Sequence, residues 1–117
     1  MTRPIVTRTR AEVYRLWLDA LRSGKYPQTI YQLKSDYGYC CLGVLCDLAR
    51  ADGGPGWSDG LYRVTDYQLP YKMSHFMGLT QGEQNALIRM NDKSRATFAQ
   101  IADYIEQRIM PKALARK

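Results

Sequence analysis

The sequence predicts a helix-dominated α+β domain, about four helices with a small antiparallel β element, and three observations predict it. Thr-x-x-Glu/Gln capping boxes precede apolar runs at Thr9/Glu12, Thr80/Glu83 and Thr97/Gln100, and each marks a helix start. The stretch TIYQLKSDYGYC (residues 29–40) is rich in β-formers on either side of the turn signal SDYG, which reads as a short hairpin or an extended passage. Finally, 117 residues at 45% apolar and 24% charged build a single core, so residues 1–117 form one domain.

Taken in order, the first helix opens at Thr9 and carries Val13, Leu16, Trp17, Ala20 and Leu21 at helical spacing, with Gly24 as its left-handed cap. Pro27 begins the extended passage. In DYGYCCLGVLCDLARADGG (residues 36–54), Cys41, Leu42, Leu45, Leu48 and Ala49 make one apolar stripe, flanked by Val44 and Cys46. Asp47, Arg50 and Asp52 fall on the other side, and Gly53-Gly54 stops the helix. Gly43 inside this helix costs about 1 kcal/mol relative to alanine; a helix or a bound group packed against the backbone would explain it. GGPGWSDG (53–60) is a loop. LYRVTDYQLP (61–70) reads as a short strand paired with the earlier passage, and YKMSHFMGL (71–79) as a short helix closed by Gly78. The Thr80 box opens a helix burying Leu87, Ile88 and Met90 and ending near Asn91-Asp92. The Thr97 box opens another with Phe98, Ile101, Ala102, Ile105 and Ile109 on one face. Pro111 should end it, leaving KALARK as a tail.

No apolar run approaches the roughly 18–20 residues of a membrane span, and MTRPIVTRTR has no secretory h-region. A cytoplasmic, reducing setting is expected, in which three cysteines need no pairing. The net charge of +6 is uneven: residues 1–25 hold six basic and two acidic groups, residues 108–117 hold four basic groups, and the middle is slightly acidic. Basic ends (about 1–8 and 111–117) that are partly flexible and solvated are the plain reading; nucleic-acid contact ranks lowest, because no recognition motif accompanies them.

The cysteines invite a chemical reading. Zinc takes four ligands in paired spacings, whereas this chain has CC-x₄-C and one histidine, His75. Cys41 and Cys46 would sit about 140° apart on a helix, so no metal site and no cofactor are expected. Cys40 and Cys41 lie at a helix start, which lowers a thiol pKa, and His75 could serve as base; these three are the weak catalytic candidates. The reading adopted is structural, with the cysteines lining the inner face of a central helix. Asn91-Asp92 lacks the alternating acids and central glycine of a calcium loop and reads as a capping and turn pair. Nine tyrosines are many for this length, and tyrosine suits both interfaces and thin cores. The candidate binding residues are therefore Tyr37, Tyr39, Gly43, Trp57, Tyr62, Tyr67, Asn91 and Asp92.

The segments ALRSGKYPQ, GYCCLGVLCDLA, LP, MND and TFAQIADYIE, spread over about residues 17–106, resemble a family of small bacteriophage and prophage proteins. The resemblance supplies no catalytic residue. It implies an accessory gene product in the cytoplasm of an infected bacterium, one that binds and blocks a host enzyme or defence component, or sequesters a small signalling molecule. Three functions follow as expectations. A non-enzymatic binder of a host protein would use the loop tyrosines, Trp57 and the basic ends. A pocket protein for a small nucleotide-like ligand would use the Gly43 face, His75 and Asn91-Asp92, and a nucleic-acid binder would use the ends alone.

Overall fold

The computed structural model describes residues 8–53, 56–58, 61–62 and 65–116. Helix α1 (Arg10–Arg22) leads to a two-stranded antiparallel hairpin, β1 (Lys34–Ser35) with β2 (Gly38–Tyr39), registered Lys34 to Tyr39 and Ser35 to Gly38. Helix α2 (Cys41–Ala51) follows, then α3 (Tyr71–Met77), α4 (Gln81–Asp92) and α5 (Phe98–Tyr104). A π-helical turn (Ile105–Ile109) joins α5 to α6 (Met110–Ala115) without a break. The molecule is α+β and helix-dominated, as the pattern predicts. All three capping boxes close: Thr9, Thr80 and Thr97 each accept the N–H three residues on, while Glu12, Glu83 and Gln100 each reach back to the cap N–H.

Helix α2 is the centre. Cys41, Leu42, Val44, Leu45 and Cys46 are all buried, enclosed by α1, α4 and the hairpin. A helix apolar on most sides belongs inside a domain. Trp17 of α1 donates its indole N–H to the Cys41 carbonyl at 2.9 Å, and Tyr14 donates its hydroxyl to the Met77 carbonyl at 2.9 Å. These two large side chains thus bury in α1 while keeping their polar ends bonded. Gly43 is where the hairpin strand meets α2. A Cβ there would collide with the Leu33 carbonyl oxygen and lie 2.8 Å from its carbon. That carbonyl accepts the Cys40 N–H at 3.0 Å. The neighbour that excludes a side chain at Gly43 is therefore the backbone of Leu33, just before β1.

Three expectations need correction. Asp47 does not face solvent: it is 6% exposed, because Tyr26 and Trp57 close over it. Residues 61–70 form no regular strand among the described residues. Tyr62 pairs locally with Thr65 and Ser58 with Leu61, and among the described residues a bond from Leu33 N–H to the Asp66 carbonyl ties the segment to the earlier passage. Pro111 does not end the last helix. It sits in the first turn of α6, directly after the π turn, so its missing N–H falls where the regular i→i−4 ladder is already interrupted.

The π turn explains how the chain reaches that arrangement. Ile101, Ile105, Ile109 and Ala113 are all buried on one stripe, yet they are spaced by four residues three times over. In an α-helix each four-residue step overshoots a turn by about 40°, so Ala113 would drift well round the rod. The wider π ring, with Met110 N–H bonded to the Ile105 carbonyl, absorbs the surplus. Beyond it, Arg116 donates to the Gly78 carbonyl at 2.8 Å and pairs with Glu83 at 2.6 Å. Arg10 in turn donates to the carbonyls of Phe76, Ala113 and Arg116. Residues 111–116 are thereby tied to α1, α3 and α4.

Candidate functional site

The helix ends and loops gather three polar features, and one of them opens a cleft among the described residues. The first is the cysteine group. Cys40 caps α2, its sulfur accepting the Gly43 N–H at 3.4 Å, and all three thiols are free and buried. Burial pushes the Cys40 pKa up to about 12 and pushes those of Cys41 and Cys46 up as well. The helix-start position is real, but desolvation of the thiolate outweighs it. His75 is exposed on α3 and stacked on Tyr71, with ring centroids 5.9 Å apart. No hydrogen bond joins it to a thiol among the described residues.

The second is a buried acid under aromatic cover. Asp47 accepts from Tyr26 Oη at 2.8 Å, Trp57 Nε1 at 3.0 Å and Arg50 Nε at 2.8 Å. Burial disfavours its charge, yet the bonds from Arg50, Trp57 and Tyr26 together hold its pKa below the usual carboxylate value. Tyr26, Tyr39, Trp57 and Tyr62 follow one another over this site, with centroid separations of 5.1, 6.0 and 5.2 Å; the first and last pairs meet edge to face and the middle pair is tilted. Tyr39, Trp57 and Tyr62, singled out from the sequence as binding residues, are therefore packed against one another, as Gly43 is against Leu33. Tyr37 alone of that hairpin group is fully exposed, at the turn.

The third is a cleft of about 340 Å³ lined by Tyr31, Tyr67, Asn85, Ile88, Arg89, Asp92 and Lys93. Its floor is the last two turns of α4 and the C-cap residue Lys93, which place Asn85, Arg89 and Lys93 one turn apart along one face. Its walls are two tyrosines, Tyr31 and Tyr67, exposed at 54% and 44%, whose rings do not stack on each other. Lys93 Nζ lies 5.1 Å from the Tyr31 ring centroid, within cation–π range. Behind the floor runs a polar network with Asn91 and Asp92 buried at 0% and 4% exposure. Asp92 Oδ1 accepts the Tyr31 N–H at 3.0 Å and Asn91 Nδ2 at 2.9 Å. Asn91 also donates to the Thr29 carbonyl at 2.8 Å, and its Oδ1 accepts from Gln28 at 2.9 Å. The pair thus anchors residues 28–31 to the end of α4. Tyr31 is held at φ 68°, a left-handed conformation uncommon for a large side chain.

Of the residues singled out from the sequence, Tyr67 and Asp92 line this cleft and Asn91 stands behind it. His75 and Gly43, which the pocket expectation placed beside them, do not line it. Tyr31, Arg89 and Lys93 were not among those candidates, because their relevance depends on a contact between segments about sixty residues apart. Among the described residues no three His, Cys, Asp or Glu side chains gather closely enough to hold a metal ion. No helix among them is long and apolar enough to cross a membrane.

No curated protein and no solved structure matches the chain. A family profile, described as a domain of unknown function (DUF8296), matches residues 9–77. The match runs from the Thr9 cap through α3 and includes Tyr31 and Tyr67, while the α4 side of the cleft lies beyond it. Because the match takes in more than half the sequence, the chain belongs to the DUF8296 family, a domain of unknown function.

Proposed function

We propose that the protein is a non-enzymatic phage accessory module, acting in the cytoplasm of the infected bacterium, whose working part is the Tyr31–Tyr67 cleft and whose action is to hold a small ligand. The observation that carries this reading is the state of Tyr31. Its backbone sits in a conformation that costs about 1–3 kcal/mol for a non-glycine residue. A buried carboxylate holds it there while its ring stays in solvent. Packing does not need that arrangement, since the ring is not in the core; presenting the ring to a ligand does. The buried thiols favour binding over nucleophilic chemistry, because a thiol with a raised pKa carries little thiolate.

The test is to purify the chain from bacterial lysate, denature it, and identify released small molecules by mass spectrometry. Tyr67→Ala and Arg89→Glu proteins are processed in parallel. A small molecule released by the wild type and absent from both variants is the expected result. Equal release from all three, or none from any, counts against the cleft.

A second reading, capture of a host protein, is favoured by Tyr37 and Tyr71, exposed at 85% and 79%. Tyrosine is enriched at protein interfaces. A stoichiometric host protein lost on Tyr37→Ala or Tyr71→Ala would move this reading ahead.

A further inference from the structure

We infer that the cleft takes a nucleoside phosphate, one planar base joined to one phosphorylated sugar. The inference rests on the cleft being the ligand seat and adds the chemistry of what sits there. Three groups of lining residues supply three kinds of recognition at one place. Tyr31 and Tyr67 offer two exposed rings that do not stack on each other. Base–aromatic stacking is the sequence-tolerant way proteins hold nucleobases. Arg89 and Lys93 sit one helical turn apart on the floor of the cleft, and neither forms an ion pair among the described residues. A guanidinium beside an ammonium suits a phosphate, the first by bidentate hydrogen bonds and the second as a point charge. Asn85 lies one turn before Arg89; its Oδ1 accepts from Gln81 at 3.0 Å, so its Nδ2 hydrogens are available to acceptors on a base edge.

Size and charge narrow the choice. A volume of about 340 Å³ is at the small end of ligand pockets, which run from about 300 to 1,000 Å³. It suits one nucleotide better than a length of chain. Asp92 is the only acid among the described residues of the lining, and its Oδ1 is already engaged by Tyr31 N–H and Asn91. The open face of the cleft therefore carries two cations against one partly satisfied anion. Such a site draws in an anionic ligand and rejects a cationic one.

The experiment is isothermal titration of the full chain with adenosine and guanosine monophosphates, adenosine, inorganic phosphate, and a short single-stranded RNA. The expected result is that at least one monophosphate binds tenfold or more tightly than adenosine and than phosphate. Tyr67→Ala and Arg89→Ala should each weaken it about tenfold. Tyr67→Phe, which keeps the ring, should bind nearly as the wild type does. Tyr37→Ala, outside the cleft, should change nothing. Equal affinity for phosphate and monophosphate would reduce the site to a charged patch and overturn the inference. Tighter RNA binding that weakens steeply with salt would assign the site to nucleic acid and also overturn it. If no monophosphate binds at millimolar concentration, while a small molecule still co-purifies in a Tyr67- and Arg89-dependent way, the ligand class falls and the seat stands. If neither is seen, both fall.

Discussion

Replacing Gly43 by alanine sets two effects of opposite sign against each other. In an isolated helix the change gains about 1 kcal/mol from backbone entropy. In this fold the new methyl would meet the Leu33 carbonyl oxygen and lie 2.8 Å from its carbon and 3.3 Å from its Cα. All three atoms are backbone, so no side chain can swing aside. Leu33 is pinned on both sides, its N–H to the Asp66 carbonyl at 2.7 Å and its carbonyl to the Cys40 N–H at 3.0 Å. Overpacking of a core costs about 1–3 kcal/mol, and a rigid neighbour argues for the upper end. Displacing Leu33 also weakens the Cys40 bond, worth about 1 kcal/mol. The net expectation is a loss of about 2–3 kcal/mol, seen as a fall of roughly 8–12 °C in Tm for a domain of this size. Thermal and urea melts monitored by circular dichroism measure it. A Gly43→Ala protein as stable as the wild type, or more so, would refute the tight crossing.

Cys41→Ser should destabilise by about 1–3 kcal/mol by placing a hydroxyl where a thiol is packed, and a thiol reagent should label no cysteine in the native protein but three after unfolding. Rapid native labelling of Cys40 would put the thiols back among the chemical candidates. The Asp47 pKa is lowered in the fold, so its contribution to stability is complete above the unfolded carboxylate pKa of about 3.9 and fades as pH falls through the lower folded value. The stability gap between wild type and Asp47→Asn should therefore be constant at neutral pH and shrink below about pH 4. A gap unchanged from pH 7 to pH 3 in urea melts would remove the charged account of that site. Deleting residues 111–117 removes buried Ala113 and the Arg116 bonds to Gly78 and Glu83. A lower Tm is expected, and an unchanged Tm would restore the reading of this segment as a tail.

What could be read from the sequence was local. Thr9, Thr80 and Thr97 announce helices because both partners of each capping box lie within four residues. Gly43 announces a close approach because a helix has no internal reason to hold a glycine. The neighbour's identity was not readable, since Leu33 arrives through the hairpin. Asp47 was misplaced for the same reason: its position on the helix suggests solvent, but Tyr26 and Trp57 come from flanking loops to cover it. The cleft was half legible. Asn91 and Asp92 stand out as polar residues at a helix end, whereas Tyr31 joins them only once residues 28–31 fold back onto α4.

The π turn leaves the C-terminal rod one residue longer than a plain α-helix needs. Removing Gln107, which is exposed, would change the buried spacing from four-four-four to four-three-four. Eleven residues make about three full turns of α-helix with some 20° left over, so Ile101, Ile105, Ile109 and Ala113 would still share one face. The rod thus has slack at this point, and the protein should accept a one-residue shortening there and remain folded. A deletion at Ala86, in the middle of α4, has no such slack: it would turn Leu87 and Ile88 about 100° away from the core. Length, in this fold, is negotiable in one helix and fixed in its neighbour.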